Sequence, residues 1–278
     1  MTTDAAFQLL WGPGACGFII SLALFGATLG QSIFYFRCFP DDLKSLRVVV
    51  RSHRTMDIGH TYCMAGLYWK FLISCHGVTS FECPVKLPWY AAVLLSYLIS
   101  STVQGFYVHR VWIISGRNIL LTGLIAAIAI VEFVCTNVAF ATWSAPALYS
   151  TPWSPRSAGA SVICDVLITG SVFFYLRASR RGVRRSQNYF RQLTVVFVNM
   201  GVLTCMIATS WCLLYLIQGG NYYTAFPTTF ICKSYANSLL AVLNARKSIR
   251  ERERELRENG HDLATINYAS HLLPSLGL

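Results

Sequence analysis

The feature that most constrains this chain is a succession of seven predominantly apolar runs, each close to or above the ~20 residues that a helix needs to cross about 30 Å of hydrocarbon. They cover 15–36, 48–74, 89–109, 119–142, 158–176, 192–217 and 223–244. Backbone N–H and C=O groups inside a bilayer must be satisfied within the protein, so runs of this kind become helices or closed-barrel strands. Continuous apolarity, without the short alternation of barrel strands, selects helices. The expected fold class is all-α, a polytopic membrane protein built as a seven-transmembrane-helix bundle. Composition agrees: 54% hydrophobic against 13% charged residues leaves too little polar surface to clothe a water-soluble globule. The expected organisation is a short external N-terminus over 1–14, a membrane domain over 15–244, and a charged, partly disordered cytoplasmic tail over 245–278. The links between runs are short and carry the breakers Pro40, Pro84, Gly116, Pro152, Gly182 and Gly219, so no soluble domain fits between them.

Orientation follows from the basic residues, which are retained on the cytoplasmic side. The links after runs one, three and five, together with the tail, hold 17 Lys and Arg, against 2 on the opposite side, Lys86 and Arg156. The N-terminus is therefore expected outside and the C-terminus in the cytoplasm. Residues 1–14 lack a basic n-region, so the first run is expected to act as an uncleaved anchor. Trp89, Tyr90, Trp143, Trp153 and Tyr222 fall at the expected outer boundaries, where amphipathic rings settle. The expected partner is the lipid bilayer. The basic stretch from Arg177 to Arg191 and the tail attract anionic lipid and offer a surface to a cytoplasmic protein. A net charge of +11 divided into short clusters lacks the broad basic face of a nucleic-acid reader, so no nucleic acid is expected.

Ionisable side chains within spans are costly and face the bundle interior, which makes each a candidate site residue. Counting 1.5 Å per residue from the run ends places Glu132, Asp165 and Lys233 in the outer half of the bundle. They are expected to form one ligand-binding or ion-pair cluster, in which Lys233 pairs with Asp165 or Glu132. Arg54, Asp57, His60, Gln104, Asn199 and Asn237 fall deeper and form an inner polar layer. Within it the i, i+3, i+6 spacing lets Arg54 or His60 satisfy Asp57. Polar side chains of this kind are also a common packing device between membrane helices. Ten cysteines are scattered without metal-ligand spacing, and no three His converge, so no metal or cofactor is expected. Cys75 and Cys83, at the outer face, permit either a small loop disulfide or two free thiols.

The seventh run ends Lys233-Ser-Tyr-Ala-Asn237-Ser-Leu-Leu-Ala-Val-Leu-Asn244-Ala-Arg246. It resembles the K-x-Y-x-N-S-L-L-A-x-L-N-A-R ending of a large fungal family of seven-helix membrane proteins, a domain-of-unknown-function group common in mushroom-forming fungi. Asp57-x-x-His60, Val103-Gln104-Gly-Phe, His109-Arg110, Cys164-Asp165 and Val198-Asn199 agree with it in order. The resemblance covers roughly Leu10 to Arg252 and implies the architecture without an activity.

Function is read from the interior polar residues and the basic cytoplasmic face together. The favoured reading is a receptor-like or signalling protein with a polar interior site; the alternative is a small-solute or proton-coupled transporter or channel, lined by Glu132, Asp165 and Lys233. Retinal attachment at Lys233 is disfavoured because the third run has no carboxylate to serve as counter-ion. Catalysis is disfavoured as well, because no Ser/His pair has suitable spacing and no catalytic residue stands out.

Overall fold

The computed structural model describes residues 3–74, 86–141, 153–179, 187–218 and 222–272. Seven α-helices account for nearly all of the described residues, and no strand occurs among them, so the all-α class is borne out. They are α1 (Thr3–Cys38), α2 (Lys44–Trp69), α3 (Lys86–Ile114), α4 (Ile119–Ala141), α5 (Trp153–Ser179), α6 (Gln187–Gln218) and α7 (Ala225–Leu272). A π-helical turn, Lys70–Ser74, extends α2. Cys75 and Cys83 lie outside the described residues, as does most of the link between α5 and α6 that carries the basic cluster.

Five stretches are long and apolar enough to cross a membrane: Trp11–Cys38, Leu87–Ile114, Ile119–Val138, Trp153–Tyr175 and Val195–Ile217. Their outward surfaces are as apolar as their buried ones. Ile19 and Leu22 on α1, Ile130 and Val131 on α4, and Met206 and Leu213 on α6 all stand exposed. A surface of this kind is covered by lipid, not water. The chain is a membrane protein by this construction.

The other two helices are more polar for opposite reasons. α2 is amphipathic with its polar side turned inward: Val50, His53, Asp57, His60, Met64 and Leu67 recur at three and four residues and are all buried. α7 has little lipid-like surface because protein surrounds it. From Phe230 to Leu240 only Asn237 is not buried, and the helix packs against α1, α2, α3 and α6. Past Asn244 it continues as helix through the charged tail to Leu272.

Contacts at both ends help to seat α1 on this hub. Gly17 lies so close to α7 that a Cβ there would stand 2.5 Å from the Phe226 carbonyl oxygen and 3.2 Å from Thr229 Cβ. At the opposite end Arg246 Nη2 meets Asp42 Oδ2 at 2.7 Å. The Tyr35 hydroxyl donates to the same oxygen at 2.8 Å, and the guanidinium lies 4.6 Å from the centre of the Phe39 ring. The turn between α1 and α2 is thus tied to the end of the buried part of α7.

Both contacts are testable. Gly17→Ala forces backbone apart and is expected to cost about 1–3 kcal/mol, read as a lower melting temperature in detergent. Gly26→Ala meets nothing within 4 Å and, inside a helix, should leave melting unchanged or raise it slightly. Burial by itself would raise the Asp42 carboxyl, but hydrogen bonds from Arg246 and Tyr35 outweigh it and hold the group below its ordinary value of 3.8. A depressed carboxyl stabilises the fold above its ordinary range, and that stability is lost as pH falls through the folded value. The melting-temperature gap between the native chain and Asp42→Asn should therefore be full near neutral pH and narrow as the pH drops below 3.8. A gap that does not depend on pH would show that the contact carries no charge-dependent stability.

Candidate functional site

Three helices carry polar residues four apart on their buried sides. They are Ser96, Ser100 and Gln104 on α3, Glu132 and Thr136 on α4, and Ser157, Ser161 and Asp165 on α5. Such spacing stacks side chains along one helical face. Here the three faces converge with His60, Tyr68, Trp211 and Tyr235 around a cavity of about 140 Å³. At roughly 10–15 Å³ per water this holds on the order of ten waters, or one small organic molecule. The cavity lies at the end of the bundle where α2, α4 and α6 finish and α3, α5 and α7 begin.

A chain of hydrogen bonds ties its walls together. Gln104 Nε2 donates to Glu132 Oε2 at 2.7 Å, and Ser161 reaches the same carboxyl group. Ser161 Oγ lies 3.1 Å from the Tyr235 hydroxyl, which donates to Asp165 Oδ2 at 2.8 Å. Asp165 also meets Thr204. Five helices, α3 to α7, are joined through this line, and Thr136 and Ser157 add a further α4–α5 link at 2.6 Å. Trp211 lines the cavity and is buried, yet its indole N–H has no partner among the described residues.

Lys233 belongs to a different cluster. The expectation that it pairs with Asp165 or Glu132 is corrected: its ammonium is paired with Asp57. It also donates to the Asp57 carbonyl oxygen at 2.9 Å and to Thr61 Oγ1 at 2.6 Å. Its three N–H donors are thereby all used. The reason is rotational. Lys233 and Tyr235 are two residues apart, about 200° around the helix axis, so Tyr235 reaches α5 while Lys233 turns to α2. Counting residues gives height along a helix and leaves the facing side undetermined.

The expected inner layer divides in the same way. Asp57 is satisfied by Lys233 and not by Arg54 or His60. Arg54 is only half-buried, and the His60 ring lies 3.6 Å from Cys232 Sγ. Gln104 joins the cavity network instead. Asn237 clips α7 to α1, donating to the Leu24 carbonyl oxygen and Thr28 Oγ1, each at 2.9 Å. Asn199 is exposed on α6, about 200° from buried Phe197 two residues earlier. Among the described residues no group of His, Cys, Asp and Glu is arranged to hold a metal ion.

The residues that reading the sequence missed are Ser161, Tyr235, Trp211 and Thr61. Two had a signal: Ser161 sits four residues before Asp165, and Tyr235 two after Lys233.

Comparison with known families now adds one finding. Residues 161–248 match the Family of unknown function DUF6534. The match runs from the middle of α5 into α7 and is to a family with no function assigned; the chain is an integral membrane protein of unassigned activity. No curated protein and no solved structure matched.

The ion pair is open to a direct measurement. Removing one partner strands a buried charge, at a cost of about 3–5 kcal/mol, whereas removing both leaves no buried charge. In a double-mutant cycle, Lys233→Met with Asp57→Asn should lose much less stability than the two single changes summed. Lys233→Met with Asp165→Asn should add. Coupling to Asp165 in place of Asp57 would refute the assignment.

Proposed function

We propose that this protein is a receptor-like, seven-span membrane protein that binds a small amphipathic molecule in the cavity among α2 to α7. The observation that carries the reading is the cavity itself. It is walled by polar stripes from three helices and by aromatic rings, and the Trp211 indole N–H has no partner among the described residues. Concave, mixed polar and aromatic sites of this kind are the usual form of small-molecule pockets. With α2 and α7 counted as spans and the N-terminus outside, as the bias of 17 basic residues to 2 supports, the cavity faces the external side.

A signalling role is supported by what lies behind the walls. Tyr235 and His60 both line the cavity, and on the same two helices Lys233 and Asp57 form the buried ion pair. A ligand that rotates or shifts α7 against α2 would strain that pair. The same helix carries Arg246 to its contact with Asp42 at the cytoplasmic end. The alternative of proton-coupled transport draws on the line from Glu132 through Ser161 and Tyr235 to Asp165. Solute-driven proton flux in reconstituted vesicles would favour it over signalling.

The test is binding. A ligand that prefers the folded state raises its melting temperature by mass action. The protein in nanodiscs, screened against a small-molecule library, should yield compounds that raise it. Ser96→Phe places a ring in the cavity and should abolish those shifts while the unliganded protein still elutes as a single folded species. Hits that survive the filled cavity, or a library with no hit, would remove the reading.

A further inference from the structure

The cavity has an electrical asymmetry that bears on what enters it. Glu132 lies in its wall, and Asp165 is joined to it through Ser161 and Tyr235. No Lys or Arg is among the described residues that line the space. The nearest buried cation by sequence, Lys233, has all three donors committed to Asp57 and Thr61 on the far side of α7. One carboxyl group therefore borders the cavity and a second is joined to it by hydrogen bonds from behind the wall, with no basic residue among the described lining, an arrangement that is costly for a charged carboxylate.

We infer that the cavity takes a small organic amine, its nitrogen against Glu132 and its apolar body against the rings of Trp89, Tyr97 and Trp211. This rests on the ligand-binding reading above and names the class of ligand. An amine suits the site in either protonation state of the carboxyl. An ammonium supplies the missing counter-ion to a carboxylate, and a free amine accepts the proton of a carboxylic acid, so both routes end in the same ammonium–carboxylate pair. Gln104 already donates to Glu132 Oε2, which fixes the carboxyl while the ligand approaches. Aromatic faces attract a cation as well as its apolar substituent, and Trp89, Tyr97 and Trp211 all belong to the wall. A carboxylate ligand of the same shape meets the reverse: like charge with no basic residue to receive it.

The experiment uses matched compounds that differ only in the polar group. Phenethylamine, 2-phenylethanol and phenylacetate form one set; tryptamine, 2-(indol-3-yl)ethanol and indole-3-acetate form a second. Affinities are measured from melting shifts of the full chain in nanodiscs. The amine of each set should bind on the order of tenfold more tightly than its alcohol, as a charge-assisted contact adds to the shared ring burial. The acid should bind least. Glu132→Gln keeps a side chain able to bond Gln104 and should remove the amine's advantage while leaving alcohol binding within about twofold. An alcohol or acid that binds as well as its amine, or an amine preference unchanged in Glu132→Gln, overturns the inference and leaves the cavity-binding reading standing. Failure of both amines to bind the native chain overturns it too, and the broader library screen then decides the parent reading separately. If Glu132→Gln does not fold, the ranking of amine, alcohol and acid on the native chain decides alone.

Discussion

Hydrocarbon offers no partner to a polar group, so each buried donor and acceptor in a membrane bundle must be met by another helix or by trapped water. In this protein the constraint falls most heavily on α7, and the structure is arranged around meeting it. Lys233 is met by α2, Tyr235 by α5, Asn237 and Asn244 by α1, and Ser238 by Tyr107 of α3. Arg246 reaches the turn that joins α1 to α2. One helix supplies a bond to nearly every neighbour, at successive heights. Buried on almost all sides, it has little need of a uniformly apolar surface. It carries instead the groups that set the rotation and height of the helices around it.

The pair of Lys233 and Asp57 is the costliest member of this set. Neither side chain is more than 1% exposed, so both were taken out of water, and their attraction offsets that loss only because the geometry is nearly complete. Asp57 gives the ammonium a carboxylate oxygen and a carbonyl oxygen, and Thr61 gives a third acceptor. One oxygen, Asp57 Oδ2, remains without a partner among the described residues. A pair of this kind contributes less to net stability than to uniqueness: turning α7 away from α2 would separate the ammonium from its carboxylate and from Thr61. Register fixed by a buried polar contact is the best-attested use of such groups.

Much of the fold was legible because bilayer thickness converts hydropathy directly into helices. The five most apolar spans needed nothing more. α2 was harder to read because its charges invite a soluble interpretation, yet the three-and-four spacing of His53, Asp57, His60 and Met64 already described a single inward face. The site was less legible, for a geometric reason. Depth can be counted along a sequence, but rotation depends on which helices are neighbours, and that emerges only in the packed bundle. Lys233, Asp165 and Glu132 are all interior, as expected, and Asp165 and Glu132 share one hydrogen-bonded line, but Lys233 pairs elsewhere. Asn199 shares a polar character with Gln104 and none of its surroundings. The better signal was the repetition of small hydroxyl residues four apart on α3 and α5, which ended in Gln104 and Asp165.

That repetition also explains why a cavity exists at all. Large apolar side chains at positions 96, 100, 157 and 161 would fill the space between α3 and α5 and allow close contact. Serine at each is small, and its hydroxyl must still find a partner in a dry interior. Ser157 and Ser161 find theirs on α4 and α7, which draws those helices to the rim and leaves the middle open. The same substitution of hydroxyl for hydrocarbon thus creates the volume and polarises its walls. Glu132 is tolerated beside it because Gln104 and Ser161 are in reach, while the Trp211 N–H has no partner among the described residues. The opening and its polar lining thus have one origin, in serine standing where a packed bundle would carry larger apolar side chains.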